Sequence, residues 1–246
     1  MIFPIGDTNV KGGAKPLVSY TILVCCILVF FGQLNSPGNL VCSFGTIPNN
    51  VVQGTDVHTL ITSMFLHGGW MHLIGNMLFL WVFADNIEAI VGNWQFLLFY
   101  FFGGLAATAT HIFFDLYTAN AVVNCCAPCL SNISCSGAAN ICSGSIPSIG
   151  ASGAISAVMG AYIVMFPGSR IRTLFFITIL QIPAIIFLGL WFAQQLVAGI
   201  GSLGPMDAQT SGVAWWAHIG GFVVGLIYGF ANRHKMRYVS RKTTEY

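Results

Sequence analysis

Charged residues are the scarcest class in this sequence. Asp, Glu, Lys and Arg together make up 7% of the 246 residues, whereas apolar residues make up 56%. Soluble globular chains carry about 25% charged residues. Because so few charges cannot cover a surface with polar groups, the composition excludes an ordinary soluble fold and indicates a chain surrounded largely by lipid. No small-residue cleavage site follows the first apolar run, so we expect that run to be retained as a membrane span.

Apolar runs long enough to cross a bilayer, which takes roughly 20 residues, occur six times. An amphipathic stretch from His58 to His67 leads into the second run, and Pro183 predicts a kink in the fifth. The expected fold is all-α, a polytopic bundle of six transmembrane helices forming one membrane domain (17–232) between a tail at 1–16 and a tail at 233–246. The predicted spans cover residues 17–34, 70–90, 94–115, 151–167, 172–198 and 213–231.

Basic residues are confined to three segments of the chain. With six spans, the N-terminal tail, the loop after the fourth span and the C-terminal tail all fall on one side. The positive-inside rule then places these segments, and both termini, in the cytosol. Five or seven spans would scatter the same charges across both sides. The basic residues are Lys11, Lys15, Arg170, Arg172, Arg233, Lys235, Arg237, Arg241 and Lys242.

A cysteine-rich insert, residues 116–149, lies on the external side between the third and fourth spans. Cysteines that face an oxidising compartment favour disulfides, although the sequence does not determine their pairing. Free or lipidated thiols are an alternative, and a metal site is disfavoured because no His or carboxylate is interleaved. The insert also contains a glycosylation sequon, Asn132-Ile133-Ser134. The six external cysteines are Cys42, Cys125, Cys126, Cys129, Cys135 and Cys142.

The string Gly150-Ala151-Ser152-Gly153 lies at the external start of the fourth span. A serine in the first turn of a helix presents its hydroxyl beside unpaired backbone N–H groups, which can stabilise a developing oxyanion. The flanking glycines allow a sharp turn and the close approach of a partner. Helix packing explains the same residues equally well, because small residues recur at four-residue spacing through Ser156 and Gly160. The two interpretations are compatible.

His218 lies in the external half of the sixth span, at a depth similar to that of Ser152. Ala217, Gly221 and Gly225 give this span a small-residue face that could approach the fourth span closely. A lone histidine in a membrane is often a structural hydrogen-bonding group. Neither span contains a carboxylate, so a catalytic pair here would be a dyad, with Ser152 as nucleophile and His218 as general base.

A third polar group lies at the start of the second span. His72 and Asn76 are four residues apart and therefore share one helix face, from which both could donate to an oxyanion. His67 falls off that face, and we expect it to bond to the backbone of the first external segment. Metal binding by His67 and His72 would lack a third ligand, so we expect neither a metal nor another cofactor.

Together these residues resemble the rhomboid family of intramembrane serine proteases. The likeness runs from about residue 44 to residue 231, apart from the insert. It implies that Ser152 is the nucleophile and His218 the base, and that His72, Asn76 and the Ser152 N–H form the oxyanion hole. It also implies a structural role for Glu88, with Gly150, Gly153, Gly221 and His67 in support. The matching strings are His67-x-x-x-x-His72-x-x-x-Asn76, Gly150-x-Ser152-Gly153 and Ala217-His218-x-x-Gly221.

The sequence departs from the family pattern at two points. Some members have a tyrosine one turn after the nucleophile, stacked on the catalytic histidine, whereas this chain has Ser156. Another side chain must therefore orient His218, or the imidazole is held more loosely. The first external segment also lacks the Trp-Arg pair of some members.

The resemblance implies an integral membrane serine endopeptidase that cuts transmembrane segments of other proteins near the external leaflet. Its partners would be those substrates and the lipid bilayer, with no nucleic acid. The 199–212 segment would cap a water-filled cavity. One alternative is a non-catalytic family member that binds membrane clients. Another is a six-span channel or transporter, which would carry polar residues through the whole membrane depth.

Overall fold

The computed structural model describes residues 2–8, 10, 13–36, 39–117, 125–126, 129, 140–141, 144–203 and 213–236. As expected, these residues are mostly helical. In chain order the elements are β1 (Ile2–Gly6), α1 (Leu17–Asn35), α2 (Asn39–Phe44), α3 (Pro48–Val52), α4 (Thr59–Thr62), a 3₁₀ turn (Ser63–Phe65), α5 (Trp70–Val91), α6 (Asn93–Tyr117), β2 (Cys125–Cys126), β3 (Asn140–Ile141), α7 (Ser152–Met165), β4 (Arg170–Phe175), β5 (Thr178–Pro183), α8 (Ala184–Gly201) and α9 (Trp215–Asn232).

Four of the described helices, α1, α5, α6 and α8, are long and apolar enough to cross a membrane. Helix α7 is equally apolar but has only 14 residues. At 1.5 Å per residue it is roughly 21 Å long, whereas the hydrocarbon core of a bilayer is about 30 Å thick. Every α7 residue from Gly153 to Tyr162 is buried, so this short helix forms the centre of the bundle.

Glycines bring α9 into backbone contact with α7. A Cβ atom added to Gly225 would lie 1.9 Å from the carbonyl oxygen of Ala157, and one added to Gly160 would lie 2.1 Å from that of Phe222. Distances this short leave no room for any side chain. The small-residue faces predicted for these two spans therefore form one continuous interface, as is common for helices that pack in lipid.

The fifth predicted span is wrong over its first half. Residues 172–183 belong to an antiparallel hairpin, β4–β5, so Arg172 lies in a strand and not in a loop or a helix. Pro183 does not kink a helix but ends β5, and α8 begins at the next residue. Proline suits this position because its fixed φ and missing N–H are tolerated at a helix start. An apolar run alone does not distinguish a hairpin from a helix, and this run exceeds the length that one crossing needs.

The N-terminal tail supplies the third strand of this sheet, whose order is β1-β4-β5. An all-α fold was therefore too simple a prediction. Beyond the strand, Asp7 accepts hydrogen bonds from the hydroxyl of Tyr162 in α7 and from the Asn86 amide of α5, the latter at 2.7 Å. Burial raises the pKa of Asp7, although these two hydrogen bonds oppose the shift. The tail is thus attached to the helix ends opposite Ser152.

Glu88, near the end of α5, caps the start of α1. Its buried carboxylate accepts hydrogen bonds from the backbone N–H groups of Val18 and Ser19, both at 2.8 Å, and from the Asn93 amide at 2.7 Å. A carboxylate is favourable at a helix N-terminus because the first N–H groups have no partner within the helix. Glu88 therefore joins the ends of three helices.

The cysteine-rich insert is tied to the segment between α1 and α5. Cys42 and Cys129 form a disulfide across 87 residues of sequence, and Thr46 pairs with Ser148 as an isolated β-bridge. Of Cys125 and Cys126 only the strand β2 is described. The predictions for Cys135, Cys142, the sequon, the segment 204–212 and the basic residues Lys11, Arg237, Arg241 and Lys242 fall outside the described residues.

Replacing Gly225 by alanine should destabilise the bundle by about 1–3 kcal/mol, because the new methyl group must push α7 and α9 apart. Gly189→Ala in α8 is the matched control, since a Cβ atom there meets nothing within 4 Å. Its thermal unfolding midpoint should stay unchanged or rise slightly, because alanine favours a helix over glycine by up to about 1 kcal/mol. Equal midpoints for both variants in the same detergent would contradict the backbone-contact interface.

Candidate active site

Ser152 and His218 are within hydrogen-bonding distance. Ser152 is the first residue of α7 and His218 lies in the first turns of α9, and the Ser152 Oγ to His218 Nε2 distance is 2.9 Å. The glycine interface produces this approach: a Cβ atom on Gly221 would lie 2.2 Å from the Gly153 carbonyl oxygen. Gly153 and Gly221, singled out in the sequence, are thus spacers that let the two helices meet beside the site.

A third side chain, Gln195 of α8, orients the imidazole. Its Oε1 atom is 2.8 Å from His218 Nδ1, and its Nε2 atom donates to the carbonyl oxygen of Trp191 at 3.4 Å. Because an amide oxygen can only accept, Nδ1 must carry the proton of the neutral ring. His218 Nε2 is then the unprotonated nitrogen that faces the Ser152 hydroxyl, which is the tautomer that a general base requires.

Sequence reasoning missed Gln195, although a signal was present. A polar side chain inside an apolar span is costly unless it is paired, and that cost marks it as a functional candidate. Gln195 is only 3% exposed. Because the chain lacks the stacked tyrosine, another side chain was expected to orient His218, and Gln195 does so through a hydrogen bond. The Trp191 ring also lies beside the imidazole, with centroids 5.8 Å apart.

Ser156, at the position of the family's tyrosine, has a packing role. Its hydroxyl donates to the Ser152 carbonyl oxygen at 2.7 Å, and its side chain is fully buried. A Cβ atom on Gly221 would lie 3.3 Å from the Ser156 Cβ. Ser156 therefore requires glycine at position 221 of α9, and it also borders the cavity that contains Ser152.

His72 and Asn76 point two donors toward the residues before Ser152. The Gly68 N–H donates to His72 Nδ1 at 3.2 Å, so the neutral ring carries its proton on Nε2. A Cβ atom on Gly150 would lie 2.8 Å from that Nε2 and 3.7 Å from Asn76 Nδ2. Gly150 adopts φ +123°, a conformation that favours glycine. Glycine is thus required here for both its conformation and its lack of a side chain.

The amide nitrogen of Asn76 is buried and has no hydrogen-bond partner among the described residues. Most buried polar groups are paired, because an unpaired donor costs about 1–3 kcal/mol. An unpaired donor that faces a cavity is instead available to a ligand atom. Asn76 therefore has the position and the free N–H expected of an oxyanion-hole residue.

His67 supports the site from outside it. Its backbone N–H donates to Gln33 Oε1 at 3.0 Å, and its Nδ1 lies 3.2 Å from the Phe65 carbonyl oxygen. Burial, together with the nearby His72 imidazole, lowers the pKa of His67 to about 4, so the ring is neutral at pH 7. Its ring packs edge-on against His72 at 5.3 Å between centroids. His67 therefore positions His72 and bonds to backbone, as its sequence position suggested.

Ser152, His218, His72 and Asn76 line one cavity of about 700 Å³. Residues 146–149 of the insert form part of its wall. Two further polar residues on α6, His111 and Asp115, also line it, and neither was identified in the sequence. Asp115 accepts a hydrogen bond from the Gly144 N–H at 2.7 Å, which fixes the end of the insert beside the cavity. The arrangement combines a nucleophile, an oriented base and convergent donors, which are the groups that acyl transfer requires.

Comparison with known proteins identifies the family of the chain. The family model of the Rhomboid domain matches residues 54–235. Rhomboid protease GluP of Bacillus subtilis (strain 168) is 28% identical over 117 residues, which cover 45% of this chain and 23% of that protein. The match thus spans less than a quarter of that relative's length. Because the family model covers well over half of this chain, and four helices are able to cross a membrane, the protein is an integral membrane protein of the rhomboid family of intramembrane proteases.

Proposed function

We propose that this chain is a serine endopeptidase that hydrolyses peptide bonds in transmembrane segments of other membrane proteins. The observation that carries the proposal is the 2.9 Å contact between Ser152 Oγ and His218 Nε2. Gln195 accepts a hydrogen bond from the proton on Nδ1 of His218, so that Nε2 is the acceptor in the hydrogen bond from the Ser152 hydroxyl. A serine and a histidine that met only through packing would not need an oriented ring.

In this mechanism, Ser152 Oγ attacks the scissile carbonyl carbon while His218 Nε2 takes the hydroxyl proton. The carbonyl oxygen becomes an oxyanion, which accepts hydrogen bonds from His72 Nε2, Asn76 Nδ2 and the Ser152 backbone N–H. The intermediate collapses, and His218 returns the proton to the leaving amine. A water molecule, deprotonated by the same nitrogen, then hydrolyses the acyl-enzyme and regenerates Ser152.

Gln195 does part of the work that a carboxylate does in a triad. It fixes the ring orientation and the tautomer, and its carbonyl dipole faces the Nδ1–H of the imidazolium that forms during the reaction. An amide carries no net charge, so its desolvation inside the bundle costs less than that of a carboxylate. A neutral third member therefore suits a site buried among apolar helices.

The bilayer constrains both the location of the site and its substrates. Helix α7 has only 14 residues and the cavity beside Ser152 has a volume of about 700 Å³. We infer that Ser152 lies below one membrane boundary and that this cavity admits the water that hydrolysis consumes. We infer six crossings, formed by α1, α5, α6, α7, α8 and α9, with the basic segments in the cytosol and Ser152 toward the external side. A substrate helix must unwind there to expose its scissile carbonyl, so segments with Gly, Pro or small residues should be preferred.

Two features favour an enzyme over the other candidate functions. A permeation path needs polar residues through the whole membrane depth, whereas the described cavity contains the polar groups of one end of the bundle only. A binding protein without catalysis has no need of an oriented base, or of an Asn76 amide nitrogen that no described residue pairs. Of the segment 199–212, which we predicted as a cap, Ser202 lines the cavity, and residues 204–212 lie outside the described residues.

Ser152→Ala should lower the cleavage rate of a model transmembrane substrate by at least about 10³-fold, because no other group can form the acyl-enzyme. His218→Ala should have a similar effect, since nucleophile and base act as one unit. The rates would be measured in proteoliposomes by gel assay of the cleaved substrate. Ser169→Ala, which removes a hydroxyl at the opposite end of the bundle, is the control and should retain most of the activity. A Ser152→Ala variant as active as the wild type would refute the proposal.

Gln195→Leu keeps the approximate volume but removes the acceptor for His218 Nδ1. The catalytic rate constant should fall up to about tenfold, the equivalent of one hydrogen bond of about 0.5–1.5 kcal/mol, with little change in KM. Gln195→Glu restores an oxygen acceptor in the same place and should recover activity relative to Gln195→Leu. If Gln195→Leu lowered only the unfolding midpoint, or if Gln195→Glu gave no rescue, the positioning role of Gln195 would be wrong.

A further inference from the structure

The β4–β5 hairpin ends in a tip of large apolar side chains that the protein does not bury. Phe176 is 78% exposed, Ile177 96% and Ile179 58%, and the flanking Phe175 and Leu180 are each 40% exposed. These residues belong to an apolar run from Leu174 to Leu180 in which Thr178 is the one polar residue. Contiguous exposed apolar patches of this kind mark contacts with a protein or a membrane.

Only the base of the hairpin packs on the bundle. Ile171 and Thr173 of β4 are fully buried beneath the sheet, while the residues that alternate with them, Arg170 and Arg172, are exposed. From Phe175 to Gln181 every side chain is exposed, including those that alternate toward the bundle side. The tip of the hairpin therefore projects away from the helices and is exposed to the surroundings of the bundle.

The hairpin runs directly into a membrane helix whose outward face is also apolar, and Gln181 is the exposed polar residue between the two apolar stretches. Pro183 ends β5 and α8 starts at Ala184 with no linker. The first outward residues of α8, Ile185 and Ile186, are 55% and 50% exposed. Since α8 is apolar enough to span the bilayer, its outward face contacts acyl chains, and the hairpin joins it at the membrane boundary.

Basic groups occupy the same end of the bundle. Arg170 and Arg172 lie at the base of the hairpin, Arg233 follows the end of α9 and is exposed, and Lys235 lies two residues further on. Asp7 lies near Arg172 and offsets part of this charge. Apolar side chains next to Lys and Arg are the composition of segments that lie in a membrane interface, where the cations meet anionic headgroups.

We propose that the β4–β5 hairpin is an interfacial lipid anchor at the bundle end opposite Ser152. Phe176 and Ile177 insert among the acyl chains of that leaflet, and Arg170 and Arg233 bind the phosphates of anionic headgroups. The hairpin lies at headgroup level and not deeper, because the outer edge of β5 has backbone groups that pair with no described strand and that need water or headgroups as partners. The anchor rests on membrane integration of the chain and does not depend on the proposed protease activity.

The test places a photo-crosslinking amino acid, benzoylphenylalanine, at position 177 of the full chain in nanodiscs. The nanodiscs contain equal parts of phosphatidylcholine and phosphatidylglycerol. Because the Ile177 side chain is almost wholly exposed, the replacement should not disturb folding. After irradiation, mass spectrometry should find lipid adducts on the tip peptide. The control carries the same probe at Thr55, an exposed position in the polar turn between α3 and α4, and should give a several-fold lower lipid yield.

The contact of Arg170 and Arg233 with anionic headgroups is tested separately. The phosphatidylglycerol share of the adducts at position 177 should exceed its share of the bulk lipid, and Arg170→Gln with Arg233→Gln should return it to the bulk share. A crosslink to a second copy of the chain, or a probe at position 177 that gives no more lipid adduct than the probe at position 55, would overturn the anchor. Lipid adducts without phosphatidylglycerol enrichment in the wild type would overturn the anionic contact.

Discussion

The contact between α7 and α9 is the constraint on which the rest of the structure depends. Two helices whose side chains interdigitate lie 8–10 Å apart, whereas a line of glycines on α9 brings its backbone onto that of α7. In lipid there is no hydrophobic force between helices, so close packing of this kind supplies the attraction. It also sets the distance between Ser152 and His218, which lie at the end of the same line. Stability and chemistry therefore rest on the same residues.

The orientation of the His218 ring does not come from the residue one turn after Ser152. That residue is Ser156, which is too small to stack on the imidazole and bonds to the Ser152 carbonyl oxygen instead. The imidazole is oriented instead from a third helix, through Gln195. This solution uses a neutral amide in a region where a carboxylate would be costly to desolvate. It also ties α8 to the proposed nucleophile and base, whereas α5 carries the donors His72 and Asn76.

The parts of this account that the sequence predicted are those with a simple physical signal. Helix positions follow from the lengths of apolar runs, and the mostly helical bundle agrees with them. The residues of the site were recognisable because polar side chains are costly inside membrane spans and these lay at one depth. Gln195 is also a polar side chain in an apolar run. It was overlooked in the fifth predicted span, whose helical part was predicted to begin too early. His111 and Asp115 could not be assigned, since facing a cavity is a property of the packed bundle.

The hairpin shows why apolar content alone is insufficient. Residues 172–183 are as apolar as a span, and the sequence reading extended the fifth helix through them. These residues form strands because of three features that appear only in the fold. They are the partner strand Ile2–Gly6, the start of α8 after Pro183, and the packing of the sheet across the helix ends. An apolar segment next to a membrane can contact lipid without crossing the bilayer. In such a protein an apolar run therefore need not be either a buried core element or a membrane span.

The most direct measurement of the central claim is covalent labelling of the native protein in membranes with a fluorophosphonate, followed by mass spectrometry of the modified peptide. Such probes react only with an activated serine. We expect a single adduct on Ser152 that disappears when His218 is replaced by alanine. A folded protein with no adduct on Ser152, or with labelling that survives the loss of His218, would contradict it.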